Sequence, residues 1–306
     1  MLSGLSITRR RFLWSAVGSA AALAGVTAVG TNEANQPQLS QLDVFLPNLP
    51  DSFDLCRIAL LSDFHYDSHF SRTPIDMAIK IVNELRPDLV ILGGDYVTAP
   101  ALGGLYRSSK VPEADPCASL LSGLRALSGV FGVLGNHDEY FNVRRIIDPL
   151  QSAGIRILRN QAFPVERDGK RLWLAGISDI LAGEPDLDKT LSGIPSGETT
   201  ALLCHEPDFA DHVMKYPVGL QLSGHSHGGQ VRLPLVGALY LPAMGRKYPC
   251  GVHRLGRLTL YTNRGIGTLR LPLRLDCPPE VTLLTLRCGT RPPQASAAMS
   301  YSSSSE

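Results

Sequence analysis

The stretch SGHSHGGQ, residues 223–230, sets His225 and His227 one position apart among three glycines. An extended strand would throw the two rings to opposite faces, whereas a glycine-rich turn can aim both at one point. Four other polar loops carry groups of the same kind: DFHYD supplies Asp63 and His65, GGDYV supplies Asp95, GNHDE supplies Asn136, His137 and Asp138, and CHEPD supplies His205. Five of the chain's eight histidines fall in these loops. Carboxylate, imidazole and amide donors without a thiolate suit a borderline divalent cation such as Mn, Fe, Zn or Co better than Mg or Ca. Asp63, His65, Asp95, Asn136, His205, His225 and His227 are too many ligands for one tetrahedral ion and about right for two ions sharing a carboxylate. Two ions roughly 3.5–4 Å apart can clamp both the attacking and the leaving oxygen of an in-line phosphoryl displacement. Taken singly the motifs are unspecific. DxH fits a solvated strand end, GGD an ordinary turn, GNHD a capped polar turn, and a lone histidine such as His205 a hydrogen-bonded core residue. Five in order, each after an apolar run, form a constellation that those readings do not produce together.

The elements that must position these loops follow from periodicity. RIALLS (57–62), DLVILGG (88–94), GVFGVLG (129–135), IRIL (155–158), TALLCH (200–205) and GLQLSG (219–224) read as buried strands. Helical spacing marks TPIDMAIKIVNEL (73–85), CASLLSGLRAL (117–127) and VRRIIDPLQSAG (143–154), with a further helix after Pro207. FPVERDGKRLWLAGI (163–177) reads as a hairpin around Asp168–Gly169. The pattern thereafter is β-rich, through RLTLYT (257–262) and EVTLLTL (280–286). The alternation predicts a layered α/β fold whose first half is consecutive βαβ units. In such sheets chemistry gathers at the carboxyl ends of the strands, and that is where each polar loop stands.

The chain of 306 residues, 44% hydrophobic and 19% charged, can bury one large core. A formal net charge of +1 gives no electrostatic case for a nucleic-acid partner. At the N-terminus, ITRRRFLW (7–14) puts Arg9–Arg10 ahead of Phe12–Leu13 and a mildly apolar run from Ser15 to Val29. Residues 1–30 therefore read as an export signal of twin-arginine type, either cleaved or kept as an anchor, and too weakly apolar to read as a spanning helix. This predicts contact with the twin-arginine translocation machinery and a location in the periplasm or on the outer face of the cytoplasmic membrane. Residues 31–42 read as a linker within a segment, 31–54, that leads into the fold; 55–290 form the domain, and 291–306 a disordered, serine-ended tail. The six cysteines lack CxxC spacing, so no thiolate zinc site is implied, and mostly free thiols are expected, with Cys277–Cys288 the first pair to test.

The ordered set D-x-H, GGD, GNHD, CHEPD and GHSHGG resembles the motifs of the calcineurin-like metallophosphoesterases over about residues 55–290. The twin-arginine start, GHSHGGQVRLP and the late RGIG and LRLDCPPEVTLLTL are similar to the bacterial exported branch of that family. The resemblance implies a four-layer αββα sandwich, two mixed sheets flanked by helices. It implies Asp63, His65 and His227 around one metal, Asn136, His205 and His225 around a second, and Asp95 bridging them. It places His137 beside the phosphate, with Asp138 orienting it. A metal-bridging hydroxide would then attack phosphorus, His137 stabilising the developing charge and protonating the leaving alkoxide. The branch of protein phosphatases is disfavoured: GGDYVTAP lacks a following Asp-Arg-Gly, and Asp138 stands where they carry glutamate. Thr98 occupies the place of the purple acid phosphatases' tyrosine, and Tyr96 should point away from the site.

The implied substrate is a phosphodiester or phosphomonoester. VRLPLVGALYLPAMG (231–245) reads either as a lipid-facing lip, admitting a phospholipid or lipid-linked ester with peripheral membrane contact, or as a buried hairpin of the second sheet. Tyr66, Glu139 and Tyr140 are candidates to line the pocket, while His69, His212 and His253 read as structural. The alternative to a hydrolase is a catalytically silent metal-binding protein on the same fold, against which the full ligand set argues.

Overall fold

Apolar runs covered on both faces become strands without polar alternation. In the computed structural model, which describes residues 24–100 and 113–290, β2 (Arg57–Leu61), β3 (Leu89–Leu92), β4 (Val130–Gly132) and β5 (Ile155–Ile157) run parallel. β14 (Glu280–Cys288) lies antiparallel to β2, and β1 (Gln38–Leu46) parallel to β14, giving the order β1-β14-β2-β3-β4-β5. The second sheet has β7 (Lys170–Gly176), β8 (Thr199–Leu203), β9 (Leu220–Ser223) and β13 (Leu258–Thr262) in parallel. Its edges are the antiparallel β6 (Gln161–Arg167) and β12 (Gly251–Leu255).

The two-residue side-chain period of a strand assigns the layers. Ile58, Leu60, Leu89 and Ile91 face Leu172, Leu174, Leu203 and Leu222 in a core between the sheets. Their neighbours Ala59, Leu61, Val90 and Leu92 face outward, onto Ile75, Ala78 and Val82 of α2 (Arg72–Leu85), Leu121 of α3 (Ala114–Leu121) and Ile146 and Leu150 of α5 (Arg144–Ser152). On the far side, Ala175 and Leu202 pack with Leu187 of α6 (Leu187–Leu191) and Val213 of α7 (Ala210–Val213). The result is the four-layer αββα sandwich, with two mixed sheets flanked by helices. Each fully buried Leu or Ile contributes about 1.5–3 kcal/mol, so three apolar layers hold the strand ends that carry the polar loops.

Several elements differ from the sequence reading. The 31–42 linker is structured: residues 24–34 are helical (α1), and β1 starts at Gln38. β1 is an edge strand with one solvated face, so QLSQLDVFL reads as polar although Val44 and Leu46 are buried. α3 stops at Leu121, where Ser122–Gly123 turns the chain. Residues 231–245 do not join the second sheet. They carry a two-stranded ladder of their own, β10 (Arg232–Leu233) and β11 (Gly237–Ala238), with an exposed tip. All six thiols are free: Cys277 Sγ donates to the His227 carbonyl at 3.2 Å and Cys288 Sγ to that of Leu49 at 3.3 Å, which rules out the Cys277–Cys288 pair. Residues 1–23 of the signal segment and the 291–306 tail lie outside the described residues; among the latter no helix is long and apolar enough to cross a membrane.

Candidate dinuclear metal centre

All five polar loops leave the carboxyl ends of parallel strands, three from the first sheet and two from the second. Asp63 and His65 follow β2, Asp95 follows β3, Asn136 to Asp138 follow β4, His205 follows β8, and His225 and His227 follow β9. The loops after β2 and β3 zip together through Asp63 N–H to Gly94 O (2.9 Å), His65 N–H to Asp95 O (3.0 Å) and Tyr66 N–H to Tyr96 O (2.9 Å). This pairing holds Asp63, His65 and Asp95 at positive φ (51°, 39° and 56°), as His225 (69°) and His227 (52°) also are. A left-handed residue other than glycine costs of order 1–3 kcal/mol and persists where its surroundings over-determine it. Two glycines make room. A Cβ on Gly135 would strike Asp95 Oδ1 and sit 2.7 Å from His205 Nε2; one on Gly224 would strike Asp63 Oδ2 and sit 2.6 Å from Ser62 Oγ.

Three groups of donor atoms converge, each within 4.8 Å: Asp63 with His65 and His227, His65 with Asp95 and His137, and Asp95 with His205 and His225. Asp95 belongs to two of them. Its Oδ2 lies 3.5 Å from His65 Nε2 and 3.2 Å from His205 Nε2. On the other side, His227 Nε2 lies 3.0 Å from His65 Nε2 and 3.5 Å from Asp63 Oδ1. The carboxylates and the His65, His205, His225 and His227 rings are all buried.

The tautomers suit cation binding. His205 donates Nδ1–H to the Gly93 carbonyl (2.6 Å), and His225 donates Nε2–H to that of Ala243 (2.8 Å). Each leaves its other nitrogen as a lone-pair donor, the arrangement common to metal-binding histidines. His65 Nδ1 is bonded to Thr98 Oγ1 (3.1 Å). His205 Nε2 and Asn136 Oδ1 are buried with no hydrogen-bond partner. Such orphans are costly unless an ion satisfies them, so the residues present fit the metals that the motifs imply. Burial drives the imidazoles of His65 and His225 down to about 3 and about 4, holding both neutral and able to bind a cation, and pushes Asp63 up to about 6. Against the push of burial, neighbouring His205 holds Asp95 well below the usual carboxylate range, and Asp95 in turn raises His205.

His137 is half-buried, edge-on to the His65 ring (centroids 4.8 Å). Its N–H donates to Asp95 Oδ1 (2.9 Å), and its Nδ1 accepts from the Ala99 N–H (2.8 Å). Asp138 does not orient His137. Its carboxylate accepts from the backbone N–H groups of Gly135, Asp95, Tyr96 and Val97 (2.8–3.2 Å), pinning the β3 loop to the start of α4 (Asn136–Glu139). The pocket candidates also move. Tyr66 is core, Glu139 is bound by Arg159 and Ser178, and Tyr140 lies edge-on to Phe141. Tyr96 points away as expected, stacked on Phe64. His69, His212 and His253 lie apart from the three donor groups. Sequence reasoning passed over Ala99, the carbonyl acceptors Gly93 and Ala243, and Arg274, whose fully buried guanidinium approaches His227 Nδ1 at 3.4 Å. Only Arg274 left a signal, a cation inside the apolar LRLDC.

A two-sheet sandwich with buried acids and histidines gathered at its strand ends fits the class of metal-dependent phosphoric ester hydrolases. The family profile of calcineurin-like phosphoesterases matches residues 56–229, and the chain belongs to that family. It is 33% identical to the uncharacterized metallophosphoesterase YkuE of Bacillus subtilis, over 92% of this chain and 98% of that protein. It is 34% identical to the phosphodiesterase YaeI of Escherichia coli, over 92% and 99% respectively. A dimetal phosphatase structure from Danio rerio covers 70% of this chain and 88% of its own, at 13% identity and a TM-score of 0.45.

Proposed function

We propose that the protein is an exported phosphodiesterase whose buried cluster holds two divalent ions, drawn from Mn, Fe, Zn or Co. Asp63, His65 and His227 would hold one, Asn136, His205 and His225 the other, and Asp95 would serve both. The observation that carries this reading is the position of Asp95 Oδ2, within 3.5 Å of imidazole nitrogens from each sheet. When bound, two such ions supply Lewis acidity that lowers the pKa of water and offsets phosphoryl charge.

The chain's own residues supply the rest. Ala99 N–H fills the Nδ1 lone pair of His137, so the ring proton resides on Nε2. The ring is thereby set to donate a hydrogen bond to a phosphoryl oxygen as negative charge gathers there. Protonating the leaving alkoxide would need protons on both nitrogens, one of them against the Ala99 N–H. The donor role is therefore favoured over general acid catalysis. Asp138 keeps the backbone of residues 95–97 and 135 rigid beneath this donor. A diester is favoured by the name of the relative YaeI, and a lipid-linked ester by the apolar lip. Export rests on Arg9–Arg10 ahead of the apolar run.

The test is hydrolysis of bis-p-nitrophenyl phosphate against p-nitrophenyl phosphate, with Mn added or chelated. His137→Ala should retain its metals and lose roughly 10²–10³-fold in turnover. Asp95→Asn should lose metal as well. Inertness of metal-replete protein toward both esters would sink the hydrolase reading in favour of the silent binding protein.

A further inference from the structure

The β10–β11 ladder ends in one of the most exposed apolar groups on the described surface. Leu235, at φ 64°, is 109% exposed, and Val236, Leu239 and Tyr240 are each more than half exposed. Leu271 extends the patch: Gln230, at the root of β10, donates to the Leu269 and Leu271 carbonyls (3.2 and 3.0 Å). Soluble surfaces rarely collect large apolar side chains in this way without a partner.

Three observations say which partner. First, the segments that form the patch carry cations: residues 229–247 contain no acid and carry Arg232, Arg246 and Lys247, and residues 264–275 contain no acid and carry Arg264, Arg270 and Arg274. The acids nearby lie at the root and not at the tip: Asp276 and Glu33 flank the Val231–Leu275 bridge, and Asp208 accepts from the Arg246 and Lys247 N–H groups. Arg274 is buried and Lys247 pairs with Asp211, while Arg246 and Arg270 remain exposed beside the patch. Apolar side chains fringed by cations suit anionic headgroups over an acyl layer, and Tyr240 suits the boundary between them. Second, the patch is continuous with the centre. The His227–Gly229 turn runs straight into β10, and Ala243, just past the ladder, accepts from His225 Nε2–H. Third, the base of the patch is joined to the N-terminal helix. The Val231–Leu275 bridge lies beside Arg274, whose N–H donates to Gly30 O (2.9 Å), and Glu33 accepts from the Cys277 N–H (2.7 Å). That helix exposes Val26 and Val29 and is reached from the apolar, arginine-led residues 9–23.

We propose that the β10–β11 ladder, with Leu271, is a membrane-docking element that seats in the interface of a bilayer bearing anionic headgroups and brings the mouth of the centre to the lipid surface. The docking does not depend on the hydrolase reading, because binding needs neither metal nor turnover.

Flotation of full-length protein with phosphatidylcholine vesicles, with and without phosphatidylglycerol, tests it. The wild-type protein should float best with the anionic vesicles. Leu235→Asp combined with Val236→Asp should weaken partitioning on the order of tenfold or more, with an unchanged melting temperature showing that the variant is folded. A second measurement isolates the tip from any contribution of residues 1–23. In Leu235→Trp, vesicles with brominated acyl chains should quench the added indole beyond the quenching of the wild-type protein. Unaltered partitioning of the double variant, or no added quenching, overturns the proposal. So does a wild-type dimer in sedimentation that the double variant dissociates, which would assign the patch to a second copy.

Discussion

At the scale of single residues, the site is held by backbone contacts more than by pairs of side chains. Asp138 is the clearest case, because one carboxylate satisfies four buried N–H groups from two loops. Asp138→Ala should therefore cost on the order of 3–5 kcal/mol, lowering the melting temperature by roughly 10 °C and releasing metal. Thermal unfolding followed by metal analysis checks this. A variant with wild-type stability but a displaced pH profile would instead restore the role of orienting His137. The ligand types were legible in the sequence because the chemistry restricts them to acids, imidazoles and an amide. The role of Asp138 was not, because it depends on main-chain groups 41 to 43 residues away that carry no sequence signature. Thr98 is intermediate: its place beside Asp95 could be read, but its bond to His65 could not.

At the scale of elements, strands with both faces covered were legible as unbroken apolar runs, as in RIALL and LVIL. The misread pieces are those whose environment is set from a distance. β1 looks like linker because its outer face meets water, yet it pairs with β14 along nine residues. The 231–245 segment is apolar like a core strand, yet its tip is exposed. Deleting residues 31–42 should accordingly not behave as the trimming of a linker. It removes the end of α1 and half of β1, and bares the edge of β14, an invitation to pairing between chains. The shortened protein should show a lower melting temperature and a rising aggregate fraction in light scattering. A monomer of unchanged stability would show that β1 is dispensable.

At the scale of the whole molecule, six free thiols are what the proposed export of a chain folded beforehand in a reducing compartment would require. The proposed twin-arginine route requires this, since it carries folded cargo. Arg9→Lys combined with Arg10→Lys should strand folded, metal-competent protein inside the cell, as read by fractionation and immunoblot. An equal amount outside the cytoplasmic membrane would rule that route out.

The register of the first sheet carries a consequence for synthesis. β14, the last strand among the described residues, inserts between β1 and β2, so Gln38 waits for Glu280. Until residue 288 has left the ribosome, β2 keeps an open flank and β1 has no neighbour. Nascent chains should thus remain clients for holdase chaperones through nearly the whole of translation, and premature termination anywhere before β14 would leave a sticky half-sheet in place of a smaller working domain.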